Sequence, residues 1–316
     1  MHSAFAPASP QAHLVATLWW WMLGVGGAIW LIVVATMLYV TVARRGRRGP
    51  DDLEHVPDET HRRMERVVLG AGSLTVLVLA AFLVFDFSVG HALAQHPRRA
   101  LTIDITGHQW WWEAEYEDPD PSKRLTTANE IHVPTGEPVQ FKLRSADVIH
   151  SFWAPNLNGK KDLIPGYLST LWFEADTAGV YRGQCAEFCG LQHAKMAFYV
   201  VAEPRAKFQA WLAAGAQSPP PPADSTQRYG QRVFLSSGCA VCHTIGGTAA
   251  QAFVGPPLTH VMSRATIAAG ALANTRANLM AWITNPQAIK PGTRMPVVPL
   301  TGPQLAALVD YLETLK

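Results

Sequence analysis

Charge is missing from long stretches near the start of this chain. Residues 14–43 contain no Asp, Glu, Lys or Arg, and 19 uncharged residues separate Arg66 from Asp86. Runs of roughly 20 apolar residues are what a bilayer crossing needs, so these two segments are expected to be membrane helices rather than soluble surface. The first run is also too long for a secretory signal peptide and lacks the basic start of one, which is the alternative reading. Cysteine is scarce as well. The 4 in 316 residues fall in two short motifs, leaving none over for a disulfide framework. A net charge of +2 points to no charged partner, and no nucleic acid is expected.

What remains is long enough for two ordinary domains beyond the membrane segments. Residues 1–98 read as an N-terminal segment and a transmembrane helix hairpin, with helices at about 14–43 and 67–94. Between the helices lie RRGRR at 44–48 and Arg62, Arg63 and Arg66. Basic flanks stay cytoplasmic, so both termini are expected outside, in a multi-pass protein of the cell's inner membrane. Asp86 within the second run is either a proton-pathway group or an interfacial carboxylate.

From Leu101 the pattern changes to short alternating segments, LTIDITG, EIHVPTG, PVQFKLRS, TLWFEAD, GVYRGQC and MAFYVVAE, separated by Gly, Pro, Asn and Asp. This is the signature of an all-β sandwich over 99–212. The run AAGAQSPPPPADST at 213–226 reads as a semi-rigid Pro-rich linker. Helical periodicity returns over 227–316, in RYGQRVFLSS and GPQLAALVDYLETLK, and implies a small all-α domain.

Chemistry concentrates in GQCAEFCGLQHAKM, which carries Cys185, Cys189, His193 and Met196, with His150 upstream in DVIHSFW. Thiolates, imidazoles and a weak thioether are copper ligands. Two cysteines point to two coppers bridged by the sulfurs, each completed by one histidine. Met196 and a backbone carbonyl, most simply that of Glu187, would then be the terminal ligands. The bland alternative, a disulfide between Cys185 and Cys189, leaves the two His and the Met without purpose.

A second signature, GCAVCHT, gives C-x-x-C-H. Cys239 and Cys242 would bond a haem edge covalently and His243 would ligate the iron. Met295, in the Pro-bounded loop GTRMPVV, is the choice for the opposite axial ligand, with Met262 and Met280 as alternatives. His260 reads as a surface residue.

These motifs, together with GHQWWWEAEY at 107–116 and DVIHSFWAPNLNGKKDLIPG at 147–166, make the chain resemble subunit II of haem–copper oxidases, the cytochrome c oxidase subunit that carries the binuclear CuA centre. The resemblance covers nearly the whole chain and implies a cupredoxin fold for 99–212. The tail resembles class I cytochromes c, in which Gly255, Pro256, Pro257 and Leu258 match a haem-packing loop, and a fused cytochrome of this kind marks the caa3-type branch. The resemblance further implies that Trp110 is an electron exit from CuA and that the Glu187 side chain helps bind magnesium at the boundary with subunit I. Trp111 and Trp112 could instead form a membrane-interface belt. Glu65 resembles the family's carboxylate near a proton channel, without the aromatic and Pro context that usually follows it.

The function so implied is electron input to a terminal respiratory oxidase, from cytochrome c or another periplasmic donor through haem c and CuA to the catalytic subunit I. Subunit III is a further partner. The oxidase activity belongs to the complex, since the ligands for oxygen reduction lie on subunit I. Two alternatives stay open: the corresponding subunit of a CuA-type nitric oxide reductase, and a membrane-anchored electron carrier. Finally, residues 227–316 hold seven basic and two acidic residues, a balance of +5, against −3 for 99–215 with eleven basic and fourteen acidic. Electrostatic steering of the cytochrome onto the copper domain is one expectation from this contrast, and a solvated or donor-docking patch is the other.

Overall fold

The structure, a computed structural model, describes residues 2–43, 58–95, 97, 99–120 and 123–316. Residues 13–95 form one unit, and residues 1–12 with 96–316 form another.

The first unit is built from helices α1 (Pro10–Ala43) and α2 (Asp58–Ala94), both long and apolar enough to cross a membrane. Helix α1 starts earlier than its apolar run because Ser9 caps it. The Ser9 hydroxyl accepts from the Ala12 amide at 3.0 Å, and Pro10 takes the first helical position, where its missing N–H costs nothing. Helix α2 likewise starts before the apolar run, at Asp58 and Glu59, whose charges suit a helix N-terminus. Its 37 residues give about 55 Å at 1.5 Å per residue, well beyond a hydrocarbon core of roughly 30 Å, so the polar first turns have room outside the bilayer. Arg62, Arg63 and Arg66 sit on this helix, whereas the basic run 44–48 lies outside the described residues.

The second unit begins with a sandwich of ten strands: β1 (Leu101–His108), β2 (Trp111–Tyr116), β3 (Leu125–Ala128), β4 (Glu130–Pro134), β5 (Pro138–Ser145), β6 (His150–Trp153), β7 (Lys161–Leu163), β8 (Ser169–Glu174), β9 (Gly179–Cys185) and β10 (Ala197–Glu203). One sheet runs β3-β2-β1-β5-β8 and the other β4-β10-β9-β6-β7. Alternation places Ile103, Ile105, Phe141, Leu143, Phe152, Phe173, Tyr181, Phe198 and Val200 between the sheets. Trp112 joins them, wholly buried and edge-on to His150, Phe152 and Phe198. Trp111 is buried against Ala128 and Ala269. The membrane-interface belt considered for these two tryptophans is therefore replaced by packing inside the soluble unit.

The pattern reading did not foresee α3 (Arg205–Gly215), which follows the last strand and lays Phe208 and Trp211 against Tyr116. Its eleven residues run into the stretch read as linker, leaving a shorter irregular segment before α4 (Ser225–Ser236). His260 holds the start of that segment: its Nε2 lies 3.1 Å from the Gly215 carbonyl and 3.0 Å from that of Gln217, and its Nδ1 2.8 Å from that of Lys316. It is half-buried rather than a surface residue, because it ties the linker to the C-terminus.

The C-terminal domain contains α4, a two-strand ladder of β11 (Thr266–Ile267) and β12 (Leu272–Ala273), α5 (Arg276–Thr284), α6 (Pro286–Ile289) and α7 (Gly302–Leu312). Asp224 and Thr275 cap α4 and α5, and a reciprocal Thr301–Gln304 box caps α7. Helices α4 and α7 cross at Gly230, where a Cβ would stand 1.9 Å from the Ala307 carbonyl oxygen, so only glycine permits the approach.

Candidate metal centres

Strand β9 ends at Cys185, and the loop before β10 carries Glu187, Cys189, His193 and Met196. Strand β6 brings in His150, because Phe152 pairs with Cys185 in the neighbouring register. The loop is fixed by the Cys185 amide donating to the Met196 carbonyl at 3.0 Å and the Ala186 amide to the Ser151 carbonyl at 3.0 Å.

All five predicted ligand side chains converge there. The two sulfurs lie 3.7 Å apart, Cys185 Sγ is 3.9 Å from His150 Nδ1, and Cys189 Sγ is 3.7 Å from His193 Nδ1 and 3.8 Å from Met196 Sδ. The Glu187 carbonyl is 3.1 Å from Cys185 Sγ. Both thiols are free, so the disulfide alternative falls away. His150, Cys185 and Cys189 form a buried cluster able to hold a metal ion.

A hydrogen bond from the Cys189 thiol, opposed by burial and helped by His150, holds Cys185 down at about 3, while that same hydrogen bond, then burial and the charge on Cys185, push Cys189 up. A thiolate beside imidazole is the donor set that copper prefers. Sequence reasoning missed Asp147, three residues before His150. Its Oδ1 lies 2.8 Å from His150 Nε2, which leaves Nδ1 facing the sulfurs. Burial alone would raise Asp147, but hydrogen bonds from His150 and from the amides of Val148 and Gln109 bring it below the usual carboxylate range.

The C-x-x-C-H motif lines a cavity with Met295, Pro256, Trp282 and Val298. His243 Nδ1 donates to the Pro256 carbonyl at 2.8 Å, leaving Nε2 for a metal, and burial pulls its proton affinity down. A Cβ on Gly255 would come within 2.7 Å of the His243 ring, so the motif's glycine clears the space beside it. Arg264, half-buried, lines an adjoining cavity that shares Cys239, His243 and Met295; its Nη2 donates to the Pro257 carbonyl at 2.7 Å, and its buried Nε has no partner. A guanidinium with an orphaned donor fits a group carrying carboxylates, as haem does. Met262 and Met280, the alternative axial ligands, pack against the domain's apolar core.

Trp110 connects the two centres. Its indole Nε1 donates to the Cys189 carbonyl at 2.9 Å, and its ring lines the C-x-x-C-H cavity. The resemblance implies that Trp110 is an electron exit from copper; its ring lies where the C-terminal domain packs over the Gln109–Trp110 turn. Among the described residues one ion pair crosses that packing, Arg294 to Asp147 at 3.6 Å, and the Glu130 carboxylate accepts from the Ala265 amide at 2.9 Å. Glu187, the expected magnesium carboxylate, reaches Lys160 at 3.9 Å.

Comparison with known proteins accords with this geometry. Residues 101–203 match cytochrome C oxidase subunit II, periplasmic domain, and residues 227–316 match cytochrome c, a pairing that implies copper and haem c. Cytochrome c oxidase subunit 2 of Alkalihalophilus pseudofirmus is 33% identical, covering 99% of this chain and 91% of its own, and that of Bacillus subtilis is 31% identical over 69% and 63%. Among solved structures, the periplasmic domain of subunit II of the Bradyrhizobium japonicum cytochrome oxidase is 32% identical over 38% of this chain and 96% of its own, with a TM-score of 0.36. The chain belongs to the cytochrome c oxidase subunit II family, as a membrane-anchored member with a cytochrome c domain at its C-terminal end.

Proposed function

We propose that this chain is the electron-input subunit of a haem–copper terminal oxidase, passing electrons from a periplasmic donor through its own haem c and a binuclear CuA centre to catalytic subunit I. The observation that carries the reading is the convergence of two thiols, two imidazoles and a thioether, linked by successive contacts of 3.7 to 3.9 Å and joined to the C-x-x-C-H cavity by Trp110.

Copper and haem supply one-electron chemistry when bound; the side chains hold and tune them. Cys185, Cys189, His150 and His193, with the Met196 thioether and the Glu187 carbonyl as weaker donors, would hold the copper pair. Asp147 accepts from His150 Nε2 and so fixes the tautomer that offers Nδ1. Cys239 and Cys242 would attach haem, His243 and Met295 would ligate its iron, and the orphaned Arg264 Nε would pair with one of its carboxylates. Trp110 is electron entrance rather than exit, since it shares the haem cavity and reaches Cys189. The side chain of Glu187 is free of the copper set and would serve magnesium at the subunit I boundary, and subunit III completes the complex.

Helices α1 and α2 span the membrane as a hairpin with both soluble domains on the outer face. The arginines of α2 support this orientation. Oxygen uptake by the purified complex, driven by ascorbate and a mediator, tests the function. Uptake abolished by His193→Ala supports it, and feeble oxygen uptake with rapid nitric oxide turnover moves the chain to a nitric oxide reductase.

A further inference from the structure

The contact between the cytochrome and copper domains contains a lysine that electron carriage by itself does not require. Lys290, five residues before Met295, is 2% exposed. Its Nζ donates to the Trp110 carbonyl at 2.9 Å and to the Ala268 carbonyl at 3.1 Å, and no carboxylate among the described residues pairs with it. Burial, reinforced by Lys195, pulls it down to about 7, so the ammonium is held there at a cost. Buried charges kept without a stability gain are best attested where they fix a register.

The two carbonyls belong to different domains, and the second lies on an unusual turn. Ala268, Ala269 and Gly270 all have positive φ, at 53°, 57° and 76°. The left-handed region is sterically disfavoured for alanine, so the turn persists only where its surroundings hold it. Those surroundings are mostly the copper domain. The Ala197 amide donates to the Ala269 carbonyl at 3.0 Å, and Ala269 is buried with Trp111 and Ala128. A Cβ on Gly270 would stand 3.0 Å from that of Ala197 and 3.3 Å from the Tyr199 ring. On the other side of Lys290, Gln192 donates to the Pro291 carbonyl at 2.6 Å and Lys195 to the Ile289 carbonyl at 2.5 Å.

We infer that Lys290 is a positioning residue: it locks the left-handed Ala268–Gly270 turn to Trp110 and thereby holds the cytochrome domain in one fixed seat on its own copper domain, rather than letting it swing on the Pro-rich linker. This inference rests on the electron route proposed above. Most of the seat's contacts are hydrogen bonds to backbone groups and apolar surface, with one ion pair, Arg294 to Asp147, so the seat depends only weakly on salt.

The test is flash-induced electron transfer from haem c to copper in the purified complex, comparing the unaltered protein with Lys290→Met at low and high ionic strength. In the unaltered protein the rate is expected to be nearly independent of salt. In Lys290→Met it falls severalfold and becomes dependent on salt, because electron tunnelling weakens exponentially as the two centres separate. The haem and copper spectra and midpoint potentials stay the same, and amide exchange of residues 266–270 accelerates. Where Lys290→Met fails to retain haem, Gly270→Ala, which inserts a methyl against Ala197, serves in its place with the same expectation. An unchanged rate overturns the inference, and so does a slowed rate accompanied by an altered copper spectrum, which would make Lys290 a support of the copper site. Absence of haem-to-copper transfer in the unaltered protein would instead overturn the route itself.

Discussion

The indole nitrogen of Trp110 donates to the carbonyl of Cys189 at 2.9 Å, so one side chain touches the backbone of a copper ligand while its ring walls the cavity of the haem motif. Trp110→Phe keeps an aromatic ring but removes this hydrogen bond, worth about 1 kcal/mol net. Haem-to-copper transfer, followed optically after flash reduction, should slow by roughly tenfold with the copper spectrum preserved. Equal rates would show that electrons bypass Trp110.

Met295 lines the haem cavity, whereas Met262 and Met280 pack against the apolar core. Met295→Ala should therefore open an axial position and lower the haem c potential by more than about 100 mV, a modest part of the roughly 0.8 V that axial ligation spans. Redox titration checks the shift, and carbon monoxide binding to haem c checks the open site. A potential unchanged by Met295→Ala but lowered by Met262→Ala or Met280→Ala would reassign the ligand.

Where α4 crosses α7, the space beside Gly230 is filled by the Ala307 carbonyl. Gly230→Ala must push the helices apart, and overpacking of this kind costs about 1–3 kcal/mol or more because backbone rather than a side-chain tip is displaced. Thermal melting followed at the haem band should shift down, while the copper band, whose ligands lie in the other domain, melts as before.

Burial first, and a shared hydrogen bond with Glu117 second, push Asp104 from 3.8 up to about 6. Between those values the folded chain binds more protons than the unfolded chain, so Asp104 removes stability as pH rises from about 4 to 6, and nothing further is lost above that. Asp104→Asn should be more stable than the unaltered protein above pH 6 and indistinguishable from it below about pH 4. Thermal midpoints of the copper chromophore across this range decide; parallel curves for the two proteins would count against the assignment.

The candidate metal cluster was legible because its chemistry is rare and its spacing tight: Cys185, Cys189, His193 and Met196 fall within twelve residues. The strands were readable through alternation, and the helices α1 and α2 through missing charge. Helix α3 was not, since its eleven residues combine Ala, Trp and Phe in a pattern that follows a strand without a side-chain cap. Asp147 escaped notice because nothing in DVIH distinguishes a solvated aspartate from one bonded to its neighbour's ring. Lys290 and the Ala268–Gly270 turn were hidden for a deeper reason. Their meaning lies in a contact between segments some 180 residues apart, as Lys290 and Trp110 are, and composition carries no trace of it. Charge balance left electrostatic steering and a solvated or donor-docking patch both open, and the contact itself carries one ion pair beside its backbone hydrogen bonds.

The most direct measurement is rapid mixing of the fully oxidised complex with a reduced soluble cytochrome, following the haem c and copper absorbances together. Haem c should be reduced first, and copper should gain its electron with the rate constant at which haem c loses one, both steps vanishing when Cys239 and Cys242 are replaced by serine. Copper reduction that precedes haem c, or persists at full rate in the serine variant, would contradict electron input through the fused cytochrome.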